Sequence, residues 1–312
     1  MKGTVTKSTG SWYEVKNEDG TRIPCRIRGK FRLNNIKTTN PVAVGDRVRY
    51  ELEPKKDTGV ITHIYPRKNY LLRRSINLSK QYHILAANLD QIFVTVTLVS
   101  PETTTTFIDR ILVTAEAYHI PTVILINKID LLDTPERQAL KQNFIETYQK
   151  ADYPILEVSA TKGFNIELLK TMMQDKTSMF TGHSGAGKSS LINAVDPDLN
   201  LKTGQISNMH QQGKHITTFA QMFDLNFGGH IIDTPGIRGF GVVDMKPEEL
   251  DSYFPEIFKY KQDCKFNNCK HTGEPGCAVK PALQNGEIPL SRYKSYLQLL
   301  EEAENDSRFP YR

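Results

Sequence analysis

Long apolar runs, low-complexity tracts, internal repeats and an acidic excess are all missing from this chain of 312 residues, which has one tryptophan and four cysteines. The richest apolar stretches, residues 92–99 and 123–126, fall far short of the ~20 residues that cross a bilayer. A membrane-spanning helix is therefore not expected, nor is a membrane partner. The first ten residues lack an apolar core followed by a small-residue cleavage site. The expectation is thus a cytoplasmic protein with reduced cysteines. With 24% charged and 38% hydrophobic residues, the chain reads as an ordinary soluble globular protein of about two or three domains.

The net charge of +5 is unevenly spread: residues 1–70 hold 15 basic against 7 acidic side chains, and the remainder is near neutral. Such a basic block suits a polyanion, most simply nucleic acid, or serves only as a solvated face. In the same region Ile23, Cys25 and Ile27 alternate with Arg22, Arg26 and Arg28, and Val48, Tyr50 and Leu52 with Arg47, Arg49 and Glu51. That is the two-residue period of strands with one buried face. About five such segments over residues 1–68, with a turn at Gly45-Asp46, predict a small antiparallel barrel of the OB type that binds RNA.

From about residue 69 apolar strands alternate with amphipathic helices, which predicts an α/β domain around a mainly parallel sheet, ending near residue 243. Strands are expected at residues 91–99, 122–126, 155–158 and 230–232. Ile108, Ile111, Leu112 and Ala115 mark one face of a helix, and a second fits residues 135–149 with Thr134 as N-cap and Pro135 in the first turn. Residues 244–312 form a third region in which short helices flank a cysteine-rich segment, with a last helix over 290–304.

The sharpest motif is Gly182-His183-Ser184-Gly185-Ala186-Gly187-Lys188-Ser189, followed by Ser190 and a helix-forming run. Glycines in this spacing let the backbone curl, so that N–H groups and a helix N-terminus converge on phosphate oxygens. Lys188 would neutralise the β- and γ-phosphates, and Ser189 would ligate Mg²⁺. Asn127-Lys128-Ile129-Asp130 follows an apolar strand, at the strand end where open α/β sheets bind ligands. A carboxylate there accepts from the N1–H and N2–H₂ of guanine, which adenine cannot offer; alone, the four residues read equally as a turn. Ser159-Ala160 fits a loop touching the base, and Asp233-Thr234-Pro235-Gly236 puts an acid near Mg²⁺ and a glycine N–H near the γ-phosphate.

The order of these motifs is informative. In most GTPases the phosphate loop comes first, whereas here it follows the Asn-Lys-x-Asp element, so the chain resembles the circularly permuted GTPases. Cys264, Cys269, His271 and Cys277 make a closed Cys₃His set of the structural Zn²⁺ type, which would hold together a segment too small for a confident core of its own. Cys25 reads as core. Lys259, Lys261, Lys265 and Lys270 around the cysteines touch RNA or simply face solvent. With the basic barrel ahead and the cysteine segment behind, the whole chain is similar to the ribosome small-subunit-dependent GTPase A family of bacteria.

That resemblance implies a GTP hydrolase that binds the small (30S) ribosomal subunit and its rRNA and acts late in its maturation. Because the segment that senses the γ-phosphate runs directly into the cysteine-rich segment, nucleotide state is expected to switch ribosome affinity, in a monomer. The alternatives are an RNA-binding assembly factor that uses GTP only as an ordering ligand, or a GTPase acting on the large subunit or tRNA. The polar stretch 196–220 has the character of a loop closing on Mg²⁺ and γ-phosphate, with Thr217, or its neighbour Thr218, meeting the metal. Ile237 stands where many GTPases carry the glutamine that positions water. His215, in a loop matching the family's histidine-then-threonines pattern except at Ile216, is the candidate for that role, beside Lys188 as the second catalytic residue.

Overall fold

The computed structural model describes residues 1–27, 38–74, 82–201, 220–233 and 245–308. The N-terminal strands are β1 (Lys2–Ser8), β2 (Tyr13–Lys16), β3 (Arg22–Ile27), β4 (Thr38–Asn40), β5 (Arg47–Leu52) and β6 (Gly59–Ile64). Five of them run in the order β1-β2-β3-β6-β5, and β5 returns to β1, which closes an OB-like barrel without free edges. Side chains alternate inward as expected: Val5, Tyr13, Val15, Cys25, Val48, Tyr50 and Ile61 fill the interior. Two details differ from an antiparallel barrel with a regular apolar face. The β3–β6 pair is parallel, because closing the barrel brings together strands that are not sequence neighbours. Leu52, at the last position of β5, faces outward and is half exposed.

The chain then forms a hairpin, β7 (Tyr70–Arg74) and β8 (Tyr82–Ala87), which joins β4 in a separate three-stranded sheet. Only beyond it does the α/β pattern begin, with β9 (Gln91–Val96), α1 (Thr105–Ala117), β10 (Thr122–Ile126), α2 (Pro135–Gln149), β11 (Ile155–Glu157), α3 (Ile166–Met173), β12 (Thr177–Gly182), α4 (Lys188–Val195), β13 (Gln221–Asp224) and β14 (His230–Asp233). The strand order is β11-β10-β9-β12-β14-β13, parallel except for β13. Every residue of β9 is buried, because helices cover both faces. Ile92, Val94 and Val96 pack with α1 and α2, whereas Phe93 packs with α3 and α4. At the α2 start the Thr134 side chain accepts from the Arg137 N–H.

β13 pairs in turn with β1 at Lys7 and Gln221, so the barrel and the α/β sheet are one continuous hydrogen-bonded surface. Helix α3 and strand β13 were not legible in the sequence. Residues 196–201 of the stretch read as a loop are instead fastened: Asp196 accepts from the backbone and side-chain N–H groups of Asn226, and Asn193 pairs with Leu201.

The C-terminal helices are α5 (Pro255–Lys261), α6 (Val279–Gln284) and α7 (Leu290–Arg308). They do not depend on a metal alone for a core. Leu250, Phe254, Ile257, Val279, Tyr296 and Leu299 are buried together, and Val113 of α1 belongs to the same cluster. Arg292, fully buried, crosses this seam to Asp109 of α1 (2.7 Å) and Glu256 of α5 (2.7 and 3.1 Å), under the ring of Phe254. No helix among the described residues is long and apolar enough to cross a membrane.

Candidate functional site: a phosphate loop joined to a strand-end polar cluster

Three parallel strands, β10, β9 and β12, end on the same edge, and the motif residues follow those ends. Gly182 closes β12, with its φ of 145° and an imagined Cβ only 2.2 Å from the Thr95 carbonyl oxygen. No other residue fits so close to β9. Gly187 caps α4 in a left-handed conformation, and its imagined Cβ would meet the Asn127 Nδ2 at 2.4 Å. The loop between them leads to the start of α4, where Ser189 is buried and Ser190 half-buried. Ser184 is exposed, as is His183, whose ring lies 4.3 Å from Phe107 of α1. Lys188 Nζ lies back across the loop and donates to the carbonyls of Gly182 and His183, both at 2.7 Å.

Asn127 joins the second motif to this loop. Its buried side chain donates to the Ala186 carbonyl (2.8 Å) and accepts from the Ala160 N–H (3.4 Å). Ser159 donates to Asp130, Thr161 stands 3.5 Å from the same carboxylate, and Lys128 Nζ reaches the Ser100 carbonyl at 2.6 Å. The exposed Asp130 is thus held in a fixed orientation with part of its acceptor capacity facing solvent. Asp233 ends β14, beside β12. Burial raises its carboxyl above the ordinary range, with the Lys188 charge opposing. A loop of backbone donors, one ammonium group and two carboxylates thereby share one strand edge. Such a set can hold a triphosphate at one end and a purine amide at the other.

Among the predicted residues, His215, Thr217, Thr218 and Gly236 lie outside the described residues.

Cys264, Cys269, His271 and Cys277 also converge, with their ligand atoms all within 4.8 Å of one another. His271 Nδ1 is 3.7 Å from the Cys264 sulfur and 3.5 Å from that of Cys277. Zn–S bonds of ~2.3 Å and a Zn–N bond of ~2.05 Å at tetrahedral angles require a separation of about 3.6 Å. The donor set therefore fits a four-coordinate zinc ion. The other ring nitrogen of His271 meets Asp251 at 3.2 Å, and Lys261 meets that carboxylate at 2.7 Å. Burial alone would raise the Asp251 carboxyl, but His271 and Lys261 outweigh it and hold it below the usual range. Asp251 thus orients the imidazole, the arrangement that fixes the tautomer of a metal-bound histidine. It stands 20 positions before His271, and no spacing rule marks it. Two of the lysines expected to face RNA or solvent are engaged, Lys261 with Asp251 and Lys270 with Glu304, while Lys259 and Lys265 are exposed.

A family model described as RsgA GTPase matches residues 64–243, and one described as the RsgA N-terminal domain matches residues 2–61. The chain belongs to the RsgA GTPase family. It is 57% identical to the small ribosomal subunit biogenesis GTPase RsgA of Christiangramia forsetii, over 99% of this chain and 98% of that one. With the protein of the same name from Flavobacterium johnsoniae it shares 55%, over 99% and 95%. Among solved structures it is similar to YjeQ from Thermotoga maritima, with a TM-score of 0.77, 39% identity, and 97% and 98% of the two chains covered. A similar match is YloQ, described as a circularly permuted GTPase, with a TM-score of 0.74, 32% identity, and 97% and 95% covered. This family member accordingly has the permuted GTPase fold, with a closed five-stranded barrel before it and a Cys₃His cluster after it.

Proposed function

We propose that this chain hydrolyses GTP while bound to the small ribosomal subunit and its rRNA, that it acts in maturation of that subunit, and that its nucleotide state switches its ribosome affinity. The observation that carries the reading is the hydrogen bond from Asn127 to Ala186, which ties the Asn-Lys-x-Asp element to the phosphate loop. In this reading Asn127, Lys128, Asp130, Ser159 and Ala160 hold the guanine, with Asp130 accepting from its N1–H and N2–H₂. Residues 182–190 cradle the phosphates, and Lys188 balances charge that spreads onto the β–γ bridging oxygen as the bond breaks. Ser189 and Thr217 would hold Mg²⁺, which when bound neutralises phosphate charge, with Asp233 and Gly236 beside it. His215 orients the attacking water. Zinc held by Cys264, Cys269, His271 and Cys277 is structural, because four protein ligands leave no open position.

We assign residues 1–68 to RNA binding, 69–243 to GTP chemistry and 244–312 to the zinc segment, in a monomer working in the cytoplasm. Helix α1 supports a link between nucleotide and zinc segment. Its Phe107 ring meets that of His183 in the phosphate loop at 4.3 Å in a tilted contact, and its Asp109 and Arg110 bind Arg292 and Glu302 of α7.

Co-sedimentation with 30S and 50S particles in each nucleotide state, with GTP turnover followed alongside, tests the reading. The expected result is nucleotide-dependent binding to 30S with accelerated turnover, and a His215→Ala variant at least tenfold slower in the stimulated rate, ~1.4 kcal/mol of barrier, at unchanged nucleotide affinity. ATP competing as well as GTP, or equal binding to 50S, would overturn it.

A further inference from the structure

Where the barrel meets the GTPase sheet, the seam opens into a cleft of about 570 Å³ that the nucleotide site does not use. The register of three strands determines its chemistry. Thr4 of β1 pairs with Lys16 of β2 on one side and Arg47 of β5 on the other, and Lys2 lies two residues along β1 on the same face. Gly3 and Val48 point inward, since an imagined Cβ on Gly3 would meet Val15 and Val48 is fully buried. The alternation therefore turns Lys2, Lys16 and Arg47 outward into the cleft. Met222 and His230 of the GTPase sheet form the opposite wall.

The charges are not balanced internally. Lys16 is paired with Asp224 at 2.8 Å, a carboxylate that also takes Arg22 and stands 3.0 Å from His230 Nδ1. Lys2 and Arg47 have no acidic partner among the described residues. The one acid in the lining, Glu18, is exposed. Tyr65 adds an aromatic wall beneath the Lys2 ammonium (5.8 Å), and its hydroxyl is buried without a partner among the described residues. Unpaired cations and a ring together favour a phosphate with a base attached. Lys2 and Arg47 lie diagonally across the β1–β5 pair, about 7–8 Å apart, a spacing from which two long side chains can reach neighbouring phosphates of one strand.

We propose that this cleft seats the phosphate backbone of a single RNA strand, held by Lys2 and Arg47. The proposal rests on the ribosomal reading above and places one RNA contact on the β1–β5 face. That is not the β2–β3 face by which OB barrels generally bind nucleic acid. RNA there would lie against β13 and β14, the strand pair that ends in Asp233.

The test uses the full chain and a labelled single-stranded RNA 12-mer, with fluorescence anisotropy followed from low to moderate salt. Lys2→Ala/Arg47→Ala is expected to weaken binding about tenfold and to flatten the slope of log K against log salt by about 1.4, two phosphate contacts at about 0.7 each. Lys55→Ala/Lys56→Ala, with the same charge loss at the β5–β6 turn, should change affinity less than threefold. Equal losses from the two double variants would mean diffuse barrel charge and overturn the proposal. So would no RNA binding by the wild type, or displacement of the RNA by inorganic phosphate, free GDP or polyglutamate as effectively as by unlabelled RNA. Co-sedimentation with 30S separates the two levels of argument. If the wild type fails to sediment, the ribosomal reading falls. If wild type and Lys2→Ala/Arg47→Ala sediment alike at every salt concentration, only the cleft assignment falls.

Discussion

Replacing Arg292 with methionine probes how the C-terminal segment is held. The guanidinium has no exposed surface and bonds Asp109 and Glu256 at 2.7 Å each, and both carboxylates are buried with it. Removing the cation leaves two desolvated anions facing each other, a mechanism that costs about 3–5 kcal/mol. At roughly 2–4 °C per kcal/mol in a chain of this size, the melting temperature should fall by roughly 6–20 °C at pH 7.

The pH dependence separates this cause from lost packing. Burial already raises the Asp109 carboxyl, with Arg292 opposing, so without the arginine its folded pKa climbs further above the unfolded value. Such a group leaves the fold most stable below the unfolded pKa and weakens it as pH rises through the folded one. The deficit of Arg292→Met should therefore shrink as pH falls from 7 toward 5. Asp109→Asn/Glu256→Gln/Arg292→Met, which keeps an acceptor for the Tyr148 hydroxyl bonded to Asp109 at 2.9 Å, should recover most of the loss. Circular dichroism melts, with hydrogen exchange followed over residues 245–308, measure both effects. A single variant within 1 kcal/mol of wild type, or a deficit independent of pH, would refute the reasoning.

Two further outcomes follow from the site geometry. Asp251→Ala frees the outer nitrogen of His271 and should lower zinc affinity about 10- to 100-fold, read by competition with a chromogenic chelator, without changing GTP affinity. Gly187→Ala places a methyl group against Asn127 at a φ of +90° and should weaken GTP binding at least tenfold by calorimetry. Because the loop is local, its melting temperature should move by only a few degrees.

The motifs that carry chemistry were legible in the sequence because their physics is local. A phosphate loop needs glycines at fixed spacing, a zinc set needs sulfur and imidazole within a short segment, and a helix such as Pro135–Gln149 announces its own cap. Burial followed the same logic: the apolar run of β9 states that both its faces are covered, and the periodicity of α1 marks its face toward the sheet. Leu52 escaped it because a terminal position of a strand need not lie over the core.

Only the tertiary structure decided how those pieces meet. The Asn127–Ala186 bond spans 59 residues and the Arg292–Asp109 pair 183. Asp251 reaches His271 only because α5 turns back on the cysteine segment, and β1 meets β13 only because the barrel closes next to the sheet edge. Hydrogen bonds and desolvated charges act over a few ångströms of space, and distance along a chain carries almost no information about that separation until the fold has closed it.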